Sequence, residues 1–348
     1  MNTLFLNFRN LFLIKVPFYV LTLILIVVFS VFYYFGNYMQ YLQTSTIINS
    51  TQSAGCITSL NILKLKDYEL IKPVLLTDVN RESNELEETK GAVTDVINSQ
   101  KQIGNVSSVS MYLRKFTDGS WATINGDERF APGSMMKIPI LITYLKQAEM
   151  NPALLNTQYI FTGSVTGLPH QNFAKDQMVV GKKYTVRELL SRMIVESDND
   201  AVTILNSNLD VAMLQKLFSD LGLAAPDLTQ KDFFITSTDC SKFLRILYNA
   251  SYLNRSMSEY ALQLLTQSKF KLGITKHLPE TVKTAHKFGE SGNNSDLQLH
   301  EGAIVYLNNN AYLLLIMTKG KEFNKMANCI SSISDVVYTK FGGSLALN

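Results

Sequence analysis

Cysteine is scarce in this 348-residue sequence: Cys56, Cys240 and Cys329 are the only three, far apart. No Cys-x-x-Cys pair and no Cys/His run with zinc-ligand spacing occurs, which excludes the usual zinc modules and dithiol redox motifs. An odd count also argues against a disulfide framework. Two buried thiols plus one in a stem is the preferred reading, with a Cys240–Cys329 bridge left open. His170, His277 and His300 fall in no metal or triad spacing and read as structural residues. A Gly-x-Ser-x-Gly elbow is missing, which removes the α/β-hydrolase class. The net charge is only +3, and no Lys/Arg cluster is interleaved with aromatics, so no nucleic-acid partner is expected. Nothing calls for a cofactor or a metal, and no repeat of 20–50 residues is visible.

Long uncharged runs are also rare, but one is present. Residues 16–35, Val16 to Phe35, carry no charge and are almost all apolar. About twenty helical residues cross a bilayer core. Arg9 and Lys15 precede the run, and no charge follows until Lys64. The positive-inside rule then keeps residues 1–15 in the cytoplasm and exports the rest. Phe32, Tyr33, Tyr34, Phe35 and Tyr38 form an aromatic belt at the outer interface. The run is longer than a signal-peptide core and no Ala-x-Ala site follows closely. The expectation is therefore an uncleaved single-pass anchor over 16–36 in the cell membrane. A polar stem covers 37–65, and an extracytoplasmic domain covers 66–348.

Within that domain the hydrophobic period predicts a helix over 86–100. Strands follow at 106–116 and 121–124, with Thr117, Asp118 and Gly119 as the turn. A helical block follows, with candidates at 135–147, 185–195, 211–221 and 240–248. The strand period returns at 282–287, 303–307 and 312–318, and 322–338 reads as a closing helix. Two strands, a helical block, three strands and a helix imply an α+β fold. One antiparallel five-stranded sheet, flanked by helices, is built from both ends of the chain. An all-helical lobe lies beside it, with a cleft between.

Three short motifs carry chemistry. Ser134 and Lys137 are spaced i, i+3, which puts both on one helix face, so the amine can reach the hydroxyl. A serine needs such a base to become a nucleophile. Apolar neighbours Met135 and Met136 desolvate the lysine, which lowers its pKa, and Ser134 at a helix start feels the positive end of the dipole. Ser268 and Lys271 share the spacing and are assigned to an exposed helix. Ser197-Asp198-Asn199 follows the helix ending near Val195 and supplies a hydroxyl for proton relay and an amide to hold a carbonyl. Lys287-Phe288-Gly289, on a late strand, supplies a fixed cation and a residue that permits close backbone approach.

Ser-x-x-Lys, then Ser-Asp-Asn, then Lys-x-Gly resembles class A β-lactamases and penicillin-binding proteins. The resemblance runs from about Leu86 to the C-terminus and takes in Tyr184 to Leu190 and Leu299-His300-Glu301-Gly302-Ala303-Ile304-Val305-Tyr306. It implies a β-lactamase/transpeptidase-like fold. It also implies that Ser134 forms an acyl-enzyme, Lys137 activates it and Ser197 protonates the leaving nitrogen. Asn199 and Lys287 would bind substrate. Gly289 would admit it, and the N–H groups of Ser134 and Glu290 would form the oxyanion hole.

The sequence departs from that pattern twice. No Glu-x-x-Leu-Asn loop follows Asn199, so the usual deacylating glutamate is absent, and the segment between Leu221 and Thr236 offers only Asp227 and Asp232. Phe288 replaces the Thr or Ser hydroxyl that binds a substrate carboxylate, with Ser291 a nearby substitute. The resemblance thus implies a serine hydrolase acting on β-lactam or D-Ala-D-Ala-like amides, with slow deacylation. A D-Ala-D-Ala carboxypeptidase or esterase on cell-wall substrates is the alternative. A non-catalytic envelope binding domain is the reading from another class.

Overall fold

The computed structural model describes residues 82–164, 178–227, 233–292, 296–307 and 310–343. The expected anchor and stem lie outside the described residues. Among the described residues no helix is long and apolar enough to cross a membrane.

The chain enters through helix α1 (Glu87–Gln102) and strands β1 (Ser108–Lys115) and β2 (Trp121–Ile124), followed by the two-residue strand β3 (Arg129–Phe130). A short 3-10 turn, Gly133–Met136, runs directly into α2 (Lys137–Met150). After the small ladder β4 (Gln158–Ile160) and β5 (Lys183–Thr185) come α3 (Val186–Val195), α4 (Asn199–Ser207) and α5 (Val211–Asp220). Strand β6 (Ile235–Thr236) leads to α6 (Ser237–Tyr248) and α7 (Arg255–Thr266). Strands β7 (Thr284–Ser291), β8 (Leu297–Leu307) and β9 (Asn310–Gly320) and helix α8 (Phe323–Lys340) complete the fold.

Five strands form one sheet in the order β2-β1-β9-β8-β7, antiparallel throughout. The α+β expectation therefore holds, and β1 from one end of the chain pairs with β9 from the other, Tyr112 opposite Leu315. Because side chains alternate across a strand, Leu313, Leu315 and Met317 enter a core shared with Leu141, Phe243 and Leu262 of the helical lobe. Leu314 and Ile316 enter a second core with Val93 and Ile97 of α1 and Ile330 and Ile333 of α8. The middle strands are thus covered on both faces, which is why they read as apolar runs longer than the alternation alone defines.

Local chemistry sets the helix starts. Thr185 and Glu188 form a reciprocal capping box at α3, and Thr236 caps α6 through the Asp239 N–H. Helix α2 is buried along its whole first half, Lys137 to Leu145, as expected of a helix apolar on every side. Cys240 and Cys329 are free and lie in the two different cores, on opposite faces of the sheet, so the bridge left open above does not form. Ser268 does not sit on an exposed helix: it is buried, two residues beyond α7.

Candidate active site

The turn that carries Ser134 is clamped by strand β8. The Gln298 Oε1 accepts from the Ala131 N–H at 3.0 Å, and His300 Nε2 lies 3.0 Å from the Ala131 carbonyl. The other ring nitrogen, Nδ1, accepts from the Thr318 N–H, so Nε2 carries the hydrogen and donates. Burial pushes the His300 pKa down to about 4, which keeps the ring neutral and the tautomer fixed. His300 was assigned a structural role from sequence. Its bonds show that what it holds is the segment leading to Ser134.

Strand β7 holds the same turn from the other side, backbone against backbone. Gly133 has φ +52°, and a Cβ there would lie 2.1 Å from the Glu290 carbonyl oxygen. A Cβ on Gly289 would lie 2.6 Å from the Pro132 oxygen and 2.8 Å from the Met135 nitrogen. Real Cβ atoms essentially never come within 3.0 Å of another heavy atom, so both positions require glycine. The Gly289 role expected from sequence was room for a substrate. In the structure its missing side chain makes room for the nucleophile's own turn.

Lys137 is almost fully buried, and burial lowers its pKa to about 7 against the opposing pull of Asp198 and Glu290. Its Nζ donates to Ser197 Oγ at 3.1 Å, to Asn199 Oδ1 at 2.9 Å and to the Ser197 carbonyl. These three acceptors match the three hydrogens of an ammonium, and none of them is the Ser134 hydroxyl. The sequence spacing led us to expect the amine on Ser134. In the structure it turns to Ser197 and Asn199, where it finds a carbonyl and an amide oxygen beside the Ser197 hydroxyl.

Ser197 makes that arrangement possible. It is fully buried and has φ +58°, a left-handed backbone that costs a non-glycine residue roughly 1–2 kcal/mol. The next residue holds it there. Asp198 caps α4, accepting from the N–H groups of Asp200 and Ala201, and pairs with Arg192 Nε at 2.8 Å. Arg192 was not singled out from sequence, although its place one turn before Ser-Asp-Asn was the available signal.

Lys287 reaches the same hydroxyl from β7. Its Nζ lies 2.9 Å from Ser197 Oγ and 3.0 Å from the Phe288 carbonyl, with the Phe288 ring centroid 4.1 Å away. Burial first, then the nearness of Lys137, drive its pKa well below that of an ordinary lysine, while Glu290 and Glu301 act in the opposite direction. The hydroxyl of Ser197 therefore lies between two buried amines. Ser134 is half-buried on the clamped turn.

The sequence model of the β-lactamase enzyme family matches residues 89–341. This chain belongs to that family. The fold agrees with solved members. A β-lactamase from Sphaerobacter thermophilus is 17% identical, with a TM-score of 0.62, over 72% of this chain and 97% of the other. A class A β-lactamase from Mycobacterium abscessus is 19% identical, with a TM-score of 0.62, over 72% and 100%. A PBP-A variant, solved as its acyl-enzyme complex with penicillin G, is 18% identical with a TM-score of 0.60 over 73% and 97%. No curated protein matches the sequence.

Two further features concern the departures of this chain from the class A pattern. Asp227 and Ser291 line a cavity of about 500 Å³ together with Pro132, Gly133 and Met136, the residues flanking Ser134. Asp232 lies outside the described residues. On the opposite side of β7, Phe288 is buried and stacked on Phe270 at 4.4 Å. Ser291 therefore borders the nucleophile's turn and does not take over the place of Phe288.

Proposed function

We propose that the protein is a serine hydrolase that works through an acyl-enzyme on Ser134, acting on amides or esters of the β-lactam or D-alanyl-amide type. The observation that carries this reading is the hydroxyl of Ser197 held between two buried, proton-poor lysines. A merely structural domain has no use for two desolvated amines, whose burial is costly.

The steps follow from those atoms. A neutral Lys137 has two N–H hydrogens and a lone pair. It releases one of its three acceptors and takes the Ser134 proton as Oγ bonds to the substrate carbonyl carbon. The N–H groups of Ser134 and Glu290, brought together by the Gly133–Glu290 contact, face the developing oxyanion. The bond to the leaving atom then breaks, and that atom takes the proton of Ser197. Ser197 is re-protonated by Lys137 or Lys287, and Asn199 orients the substrate amide. Hydrolysis of the acyl-enzyme needs an activated water. Asp227 lines the cavity beside the turn that carries Ser134, and its exposure makes any help from it weak. General-base assistance contributes about 10²–10⁴-fold, so a long-lived acyl-enzyme is the expected outcome. The uncharged run at 16–36 would hold this domain on the outer face of the cell membrane.

Mass spectrometry of the protein mixed with a penicillin, and separately with a fluorophosphonate, tests the reading. A persistent adduct on Ser134 that Ser134→Ala abolishes is expected. No adduct from either reagent would sink the acyl-enzyme, and rapid penicillin turnover without accumulation would sink slow deacylation alone.

A further inference from the structure

The end of the site beyond Lys287 has unusual chemistry. Two of the three donors of that amine are taken, by Ser197 Oγ and the Phe288 carbonyl. The Phe288 ring covers it at 4.1 Å, and the side chain has no exposed surface. The ring itself is fixed, stacked nearly parallel on Phe270 with 17° between planes. A substrate carboxylate would have to displace a pinned aromatic ring to reach the ammonium, and it would find no hydroxyl there.

Exposed lysines stand only at the mouth, where Lys269 and Lys271 line a cavity of about 340 Å³ beside Phe288 and Phe270; the carboxylates that act on the amine itself are Glu290 and Glu301. Glu290 follows on the strand and acts electrostatically on both Lys137 and Lys287. Glu301, opposite Phe288 across the ladder, is fully buried; it accepts from the Ile274 N–H at 2.7 Å and bonds His286 Nδ1 at 2.7 Å. Lys137 turns all its hydrogens to Ser197 and Asn199. Arg192 is tied to Asp198 and Lys269 to Glu196. A carboxylate moving from that mouth to the buried amine would leave its water and the exposed lysines behind and meet a ring and two carboxylates in return, which is unfavourable.

We propose that this site selects acyl substrates whose leaving-group side is uncharged, neutral esters or amides, and discriminates against those that carry a carboxylate there. The inference rests on the acyl-enzyme reading above and narrows its substrate class: β-lactams and D-alanyl amides with a free carboxylate acylate Ser134 more slowly than their uncharged counterparts.

The test uses two esters of phenylacetylglycine, one with 3-hydroxybenzoate as leaving group and one with the methyl ester of 3-hydroxybenzoate. Phenol release gives kcat/KM, and mass spectrometry locates the adduct. The full-length protein should favour the methyl ester at least tenfold. Phe288→Ser should shrink that ratio at least fivefold by improving the carboxylate ester. Phe270→Leu, which unpins the ring, should move it in the same direction if the first variant does not fold. Equal rates, or a faster carboxylate ester, with Ser134 still modified would overturn this inference and leave the acyl-enzyme intact. A ratio unmoved in folded variants would overturn it too. No Ser134 adduct from either ester would overturn the acyl-enzyme reading on which it stands.

Discussion

The two faces of strand β7 treat polar atoms in opposite ways. On the face turned to the helical lobe, Lys287 and Lys137 both donate to the Ser197 hydroxyl, an oxygen that can itself pass on a proton. On the other face, two residues apart, His286 and Phe288 are sealed against Glu301 and Phe270, and His286 Nε2 has no hydrogen-bond partner among the described residues. The first face retains the groups needed to move protons. The second is given over to packing, with Phe288 stacked on Phe270. The chain therefore keeps the family's Ser-x-x-Lys and Ser-Asp-Asn residues on one face and departs from the family's pattern at Phe288 on the other.

The largest effect should come from the first face. Lys137→Met removes the base and should lower the rate of Ser134 acylation by at least about 10²-fold. With Lys137 intact, acylation should rise with pH through about 7 and then level, because only the neutral amine accepts a proton. The linkage has the same sign. The folded pKa is below the unfolded lysine value near 10.4, so the unfolded chain binds more protons between them, and stability should rise from about pH 7 to about pH 10. A flat acylation profile between pH 6 and 8 would count against Lys137 as the base.

A middle effect tests the strand itself. Gly289→Ala places a methyl 2.6 Å from the Pro132 oxygen. Overpacking of this kind costs about 1–3 kcal/mol, which should appear as a Tm lower by several degrees in thermal unfolding, with acylation reduced as the turn shifts. An unchanged Tm would mean the turn is free to move and does not depend on β7.

The smallest effect concerns the clamp. His300→Asn removes the bond to the Ala131 carbonyl while leaving every proposed reacting group in place. We expect kcat to fall about tenfold with KM little changed, since displacement of a nucleophile by a fraction of an ångström acts mainly on the chemical step. A change in KM alone would assign His300 to substrate contact instead.

Much of this architecture was readable because its signals are local. The capping box at Thr185 and Glu188 and the hairpin partner at Trp121–Ile124 depend on neighbours a few residues away. Strands β8 and β9 were read too short, because burial on both faces erases the alternation that marks a strand's ends. Helix α7 was not anticipated although Asn254 caps it, and Ser268 was misplaced for the same reason: its segment was judged by spacing alone. At the site, the residue types were legible and the bonding was not. The turn of Lys137 toward Ser197 depends on a left-handed backbone that no spacing rule encodes.

The clamp on Ala131 carries a consequence for the order of events during synthesis. The residues that grip it lie 167 and 169 positions further along the chain, and β1 waits for β9 before it has its second neighbour. Contacts of such long range form late and slowly. A growing chain thus presents Ser134 on an unsupported loop until β8 has been made, and truncation before β8 would leave the serine present and its turn unheld. The geometry of that turn is acquired as a late event of folding, long after the residues that form it have left the ribosome.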